Sequence, residues 1–224
     1  MIGLRILKRK RAVAVDVARK FLEVPVANVS DCMTRMFAGG PRLRPMHGGA
    51  PMAGPAFTVK TRPGDNLMIH KALWMAAPGD VIVVDGGGDL TNALVGEIMV
   101  GAAARRGLAG MVLNGAIRDA KALREGDFPV FAAGVTHRGP YKDGPGEINV
   151  PIAIDGMVIE PGDLVIGDDD GLLCVPFDEV DALYEATRKK MKQEAEQIAA
   201  IQAGTNDIAW IDQTLARLGC PIEK

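Results

Sequence analysis

Apolar positions along the chain switch between helical and strand spacing, with Gly/Pro turns between the blocks. Residues 11–21 carry Val13, Val17 and Phe21 at helical intervals, and Ser30 stands where an N-cap would open a helix over 31–37. Residues 39–55, rich in Gly and Pro, predict a loop. Residues 56–61 alternate as a strand, and Pro63-Gly64-Asp65 turns the chain into an amphipathic helix through 75. Pro78-Gly79-Asp80 then leads into Val81-Ile82-Val83-Val84, a β-branched apolar run bounded by turns that predicts a buried strand. Thr91, just after Gly86-Gly87-Gly88, predicts the cap of a helix reaching about residue 106. Residues 110–114 give a second short buried strand, 118–125 a helix, and 129–132 and 148–154 further strands. Pro161-Gly162-Asp163 and residues 164–168 echo the earlier turn-and-strand unit, both ending in an acid, although the same tripeptide is also simply a good turn. Residues 172–175 predict another strand, 177 to about 203 a long charged helix, and 208–218 a shorter one. So long a helix at the end of a compact domain predicts packing on a neighbouring subunit, which would cover its exposed length. Nothing between these blocks has linker composition. The pattern predicts one α/β domain over 1–224, with helical arms at about 1–37 and 177–224.

Composition narrows the class. The chain has 224 residues, 26 Lys+Arg against 28 Asp+Glu, and a formal net charge of −2. That balance, with only 4% aromatic residues, argues against nucleic acid as the main ligand. The 48% hydrophobic content excludes intrinsic disorder. Cys32, Cys174 and Cys220 are far apart with no CxxC pair, which suits a reducing cytoplasm and argues against a disulfide framework or structural zinc. Residues 1–11, MIGLRILKRKR, place their charges after a short apolar stretch, the reverse of a signal peptide. This basic cluster can touch RNA or a membrane, but the charge is local and reads first as a solvated lead-in. No apolar run approaches the ~18 residues that span a bilayer.

The most informative segment is Gly110-Met111-Val112-Leu113-Asn114-Gly115-Ala116-Ile117-Arg118-Asp119. A buried strand ends there in a turn with two opposite charges, at the strand end where α/β sheets bind ligands. Arg118 and Asp119 offer an anion clamp and a hard oxygen ligand; equally, Asp119 can be an N-cap with a solvated Arg beside it. Glu97 lies in an otherwise apolar stretch, where an acid costs free energy to bury alone, and is followed at helical spacing by Gly101 and Ala104. An exposed helix position explains it as well. Asp168-Asp169-Asp170-Gly171 lacks the alternating spacing of a calcium loop and predicts turn and capping chemistry. Gly86-Gly87-Gly88 lacks either nucleotide fingerprint. His47, His70 and His137 are scattered without metal-ligand spacing, His70 reads as structural, and Cys32 has no base partner.

Taken together, the motifs resemble a known family. Gly96-Glu97, a gap of twenty residues and Arg118-Asp119 are similar to the signature of class II 4-hydroxy-4-methyl-2-oxoglutarate and 4-carboxy-4-hydroxy-2-oxoadipate aldolases, within the regulator of ribonuclease E activity A family. The likeness extends over Val29-Ser30-Asp31, PGDVIVVDGGG, GLAGMVLNGAIRD, FPVFAAG, INVPI and PGDLVIGDDDG. It implies an α/β fold with a central β-sandwich or barrel flanked by helices, like the swivelling phosphohistidine domain. It also implies a homotrimer or homohexamer with sites between subunits, a divalent metal (Mg²⁺ or Mn²⁺), and C–C cleavage of small 2-oxo acids to pyruvate, with oxaloacetate decarboxylation. No membrane partner is implied.

By position, the resemblance makes Asp119 the direct metal ligand and Arg118 the residue that binds the pyruvyl group. Glu97 becomes the acid that holds metal-bound water, and the backbone of Gly96, Glu97 and Ile98 the carboxylate receiver. Asp31 and Glu194 become acids brought from a neighbouring subunit. Glu97 stands where the best-known aldolases of the group carry Asp, so the natural substrate is open. Mg²⁺ chelated by a 2-oxo acid needs few protein ligands, so a sparse set is expected. Arg124, Arg138 and Lys142 are candidates for the distal carboxylate. The alternative within the family is a non-catalytic protein that binds and inhibits a ribonuclease E-type partner. Such regulators lack the full acidic and Arg-Asp set, and this chain has it in Glu97, Arg118 and Asp119. A methyltransferase activity finds no support, since no glycine-rich cofactor fingerprint is present.

Overall fold

Strands that are apolar at every position need cover on both faces, and two such strands form the centre of the sheet. The computed structural model describes residues 1–37 and 39–221. In chain order the elements are β1 (Leu4–Ile6), α1 (Val15–Arg19), a 3-10 turn (Lys20–Glu23), α2 (Val26–Cys32), β2 (Arg44–Pro45), β3 (Met52–Thr61), α3 (Leu67–Met75) and β4 (Val81–Asp85). They continue with β5 (Ala93–Val95), α4 (Glu97–Arg105), β6 (Gly110–Ile117), α5 (Ala120–Arg124), β7 (Val130–Val135), β8 (Gly146–Ile148), β9 (Ile152–Ile154) and β10 (Met157–Ile159). The last are β11 (Leu164–Asp168), β12 (Gly171–Val175), a 3-10 turn (Phe177–Glu179), α6 (Val180–Gln202) and α7 (Ala209–Arg217).

The main sheet runs β1-β8-β3-β4-β6-β7-β2, with β5 also on β6 and the β11–β12 hairpin on β3. The pairs β3–β4, β4–β6 and β6–β7 are parallel, so their crossovers carry α3, α4 and α5. Alternation divides the core in two. Ile82 and Val84 of β4 pack with Met68, Ile69, Leu73, Met99, Ala103 and Leu123 of the crossover helices. Val81 and Val83 face the other way, onto Ile152, Ile154, Met157, Val165 and Cys174 of the second β-layer. Burying each large apolar side chain is worth about 1.5–3 kcal/mol, which makes the central register hard to slip. The expected α/β class, a large sheet flanked by helices, is what the structure has.

Residues Met1–Thr187 form one compact unit and Arg188–Lys224 a second. In the second, Lys190 and Glu194 pair at 3.0 Å, and Trp210, Ile211 and Leu218 are exposed. No helix among the described residues is long and apolar enough to cross a membrane.

Several local expectations are corrected. The helix expected at 31–37 is instead α2, Val26–Cys32, with Ser30 inside it. Val26 and Val29 bury its inner face, and the carboxylate of Asp168 accepts the Val26 N–H at 2.9 Å from far along the chain. The helix expected after Thr91 begins only at Glu97, because Ala93–Val95 is a buried strand paired with β6. β6 itself extends to Ile117, past a bulge, because Ala116 and Ile117 pair on both sides. The strand expected at 148–154 splits at Asn149, whose φ of 56° turns the chain. The expected loop at 39–55 holds β2 and the start of β3.

Candidate functional site

Val95 and Ile117 are paired at the carboxyl ends of β5 and β6, and the Arg118 N–H donates to the Val95 carbonyl at 3.0 Å. The two strands therefore release their next residues side by side: Gly96 leads into α4, and Arg118-Asp119 into α5. Asp119 has φ 58° and ψ 35°, a left-handed conformation that Asp tolerates better than most residues. It occupies the N-cap position of α5 without a side-chain bond to that helix. Its carboxylate turns across instead, and Oδ2 accepts the Glu97 N–H at 3.0 Å at the start of α4. The simple N-cap reading of Asp119 is thereby corrected. Gly96 makes this possible through space, since its φ of −150° is open to any residue. A Cβ there would collide with Asp119 Oδ2 and stand 2.9 Å from Arg118 Cγ.

The Arg118 Nε lies 3.7 Å from Asp119 Oδ2, with both side chains about two-fifths exposed, at 43% and 41%. They open onto a cavity of about 290 Å³ whose inner wall includes Leu94, Val95 and Met99. Gly139 approaches the Arg118 guanidinium closely: a Cβ there would stand 3.2 Å from Nη1. The remaining polar lining comes from Asn66 and His70 at α3 and from Lys142. Asn66 donates Nδ2–H to the Leu94 carbonyl at 2.9 Å, while its Oδ1 is buried with no partner among the described residues. Burial, and then the charge of Lys142, hold His70 below its ordinary value of 6.5, so it is neutral at pH 7. The cavity thus presents Arg118 and Lys142 against the single carboxylate of Asp119, a balance suited to an anion.

Of the residues singled out from sequence, Gly96, Ile98, Arg118, Asp119 and Lys142 line this cavity. Glu97 is exposed on the first turn of α4; its backbone joins the site, and its side chain is not part of the lining. Asp31 lies on α2 in an ion pair with Arg35 at 2.8 Å, apart from the lining, and Glu194 lies in the second unit. Arg124 and Arg138 are exposed outside it. Asn66 carried no signal, and His70, read as structural, is at the cavity. Their one sequence clue is position, at the start of a helix that follows a strand end.

Other motifs resolve as structure. Gly86 and Gly88 donate to the Asn114 carbonyl and Gly87 to Asp85, so the glycine run closes on its own sheet. Both ring nitrogens of His47 meet backbone carbonyls, and Asp168 bonds the N–H groups of Val26 and Asp170. Burial, with Asp163 beside it, pushes the Cys174 thiol well up, away from reactivity.

Three comparisons bear on this arrangement. The chain is 39% identical over 186 residues to a protein of Halalkalibacterium halodurans that carries the provisional name 4-hydroxy-4-methyl-2-oxoglutarate aldolase; the match covers 83% of this chain and 89% of that one. A Burkholderia multivorans protein with the same provisional name is 44% identical over 133 residues, 59% of this chain and 80% of that one. The solved structure of the RNA-processing inhibitor RraA from Thermus thermophilis superposes with a TM-score of 0.64 at 34% identity, over 69% of this chain and 93% of that one. The model of the RraA-like family, described as Aldolase/RraA, matches residues 26–174, a span that holds the Gly96 junction, Arg118 and Asp119, and the chain belongs to that family.

Proposed function

We propose that this protein is a divalent-metal-dependent aldolase that cleaves 4-hydroxy-2-oxo acids, such as 4-hydroxy-4-methyl-2-oxoglutarate, to pyruvate and a second oxo acid, and that it also decarboxylates oxaloacetate. The observation that carries this reading is Arg118 and Asp119 side by side over Gly96, with the Asp119 carboxylate bonded to the start of α4.

The donor set at Asp119 fits a hard cation. One oxygen takes the Glu97 N–H, the other has no partner among the described residues, and the side chain is 41% exposed. Mg²⁺ binds through one or two carboxylates and keeps several waters, and Mn²⁺ favours the same oxygen donors. Among the described residues no group of three or more His, Cys, Asp or Glu is gathered, so water and substrate oxygens would complete the shell. When bound, the ion supplies Lewis-acid stabilisation of charge developing on the substrate's keto oxygen.

The chain's own residues do the rest. Arg118 offers a planar fork to the 2-oxo acid and stabilises the enolate oxygen as it forms, a contribution of about 3 kcal/mol for a well-placed donor. The backbone of Gly96 and Ile98, at the positive end of α4, receives the pyruvyl carboxylate beside the Glu97 N–H that holds Asp119. Glu97, through a water that it orients, takes the proton from the C4 hydroxyl as the C3–C4 bond breaks, and the proton returns to C3 of the enolate to give pyruvate. Lys142 meets the distal carboxylate, and neutral His70 adds no competing charge. Asp31 enters the site of a neighbouring subunit in a homotrimer or homohexamer, and the enzyme works in the cytoplasm.

The test is pyruvate release from 4-hydroxy-4-methyl-2-oxoglutarate and from oxaloacetate. Release with Mg²⁺, its loss with EDTA, and its loss in a folded Asp119→Ala variant are expected; a fully active variant would overturn the assignment. The second reading, inhibition of a ribonuclease E-type enzyme, draws on the likeness to the Thermus inhibitor. It gains if wild type releases no pyruvate yet slows RNA cleavage.

A further inference from the structure

Lys142 sits on an exposed stretch of chain with no regular secondary structure, a poor support for a residue that must face a substrate. The chain is fastened on both sides of it. On one side, Tyr141 bridges to Asp65 through the backbone: its N–H donates to the Gly64 carbonyl at 2.8 Å, and its carbonyl accepts the Asn66 N–H at 3.0 Å. On the other side, the Asp143 and Gly144 N–H groups donate to Oδ2 of Asp65 at 2.7 and 2.8 Å. The remaining oxygen, Oδ1, accepts the Leu67 N–H at the start of α3 at 2.9 Å. Asp65 is fully buried, and Arg62 approaches Oδ2 at 3.1 Å from the surface.

We propose that Asp65 is a positioning residue: its carboxylate clamps residues 141–144 to the start of α3, so that Lys142 joins Asn66 and His70 in the lining of the cavity. One carboxylate takes N–H groups from the two segments that supply Asn66, His70 and Lys142 to the cavity lining, and Asn66 is its direct neighbour in the chain. A buried acid that served only to cap α3 would need Oδ1 alone. The spare oxygen goes to the residues directly after Lys142. That Lys142 then binds the distal carboxylate rests on the aldolase reading above; the clamp itself does not.

The experiment uses Asp65→Asn in the full chain. An amide keeps a single acceptor oxygen, so it cannot hold the Leu67 N–H and the Asp143–Gly144 pair together; the adjacent start of α3 keeps the oxygen, and the Asp143–Gly144 side is released while the Tyr141 backbone bridge persists. Amide exchange should quicken at Asp143 and Gly144 and stay slow in β4 and β6. With 4-hydroxy-4-methyl-2-oxoglutarate, KM should rise about tenfold while kcat stays within about threefold, the pattern of a lost binding contact. Lys142→Met should give the same split, and the double variant should be no worse than Lys142→Met alone, because Asp65 acts through Lys142. Multiplying effects in the double variant, or an unchanged KM with quickened exchange, would overturn the proposal. If Asp65→Asn does not fold, Arg62→Gln removes the carboxylate's exposed partner and leaves the core whole. It should raise KM about threefold without changing kcat, and no change would overturn the clamp. Should wild type release no pyruvate from either substrate, the aldolase reading fails. Amide exchange alone then decides the clamp, and unchanged protection in Asp65→Asn sinks it.

Discussion

Replacing Gly96 by Ala adds one methyl group at the point where the site is tightest. The backbone accepts it, since φ −150° and ψ −168° are extended values open to any residue. The cost is steric: the new Cβ would overlap Asp119 Oδ2 and lie 2.9 Å from Arg118 Cγ and 3.2 Å from Arg118 Nε, against ordinary contacts beyond 3.4 Å. Asp119 has to withdraw by roughly 1 Å, and its 3.0 Å bond to the Glu97 N–H stretches beyond hydrogen-bond range. A displacement of that size at a reacting centre costs about 10²-fold, or about 2.7 kcal/mol at 1.36 kcal/mol per tenfold. Gly101 is the control on the same helix: a Cβ there meets nothing within 4 Å. Gly101→Ala should keep full activity and gain roughly 0.5–1 kcal/mol of stability from helix propensity. The assay is pyruvate release with Mg²⁺ by the two variants, together with their thermal unfolding. If Gly96→Ala retains wild-type kcat/KM while folded, the seating of Asp119 on α4 has no bearing on the chemistry.

Two further predictions separate charge from geometry. Arg118→Lys keeps the charge and loses the planar fork, so kcat/KM should fall by roughly 10²-fold or more; unchanged kinetics would reduce Arg118 to a surface charge. Glu147 of β8 tests the docking of β1: burial alone would raise its carboxyl, but the Gly3 N–H and Arg5 outweigh it and hold it below the ordinary 4.5. The unfolded chain then binds more protons near and below that value, so this stabilisation is present at neutral pH and lost as pH falls through the window. The gap in thermal midpoint between wild type and Glu147→Gln should be widest near pH 7 and close in acid; a gap that grows in acid refutes it.

How much of the fold is legible depends on how local its causes are. Val81–Asp85 and Gly110–Ile117 announce themselves because strands covered on both faces are apolar at every position. α2 is displaced from its expected place because its first N–H is satisfied by Asp168, 142 residues away, and no neighbouring cap marks it. β5 is three residues long, too short for a period of two to register, and only its pairing with β6 makes it a strand.

The site divides along the same line. Gly96, Arg118 and Asp119 each follow the last residues of their own strand, so one spacing in the sequence captures all three once β5 and β6 are paired. The direction of Asp119 is a different matter. Asp at a helix start ordinarily caps that helix, and only the left-handed backbone at 119 and the missing Cβ at 96 send the carboxylate to α4. The remaining polar lining has no such signature. Asn66, His70 and Lys142 come from two segments more than 70 residues apart, joined through the buried carboxylate of Asp65 and the Tyr141 bridge. Asp65 reads in sequence as the last residue of a Pro-Gly-Asp turn, and that turn role is real, since Oδ1 takes the Leu67 N–H. The second oxygen is the part that a one-dimensional pattern has no way to encode. It joins the Lys142 segment to the start of α3, while Asp119 is held by the Glu97 N–H at the start of α4. The Arg118-Asp119 part of the cavity is therefore written in strand-end motifs, and the Lys142 part in one long-range clamp.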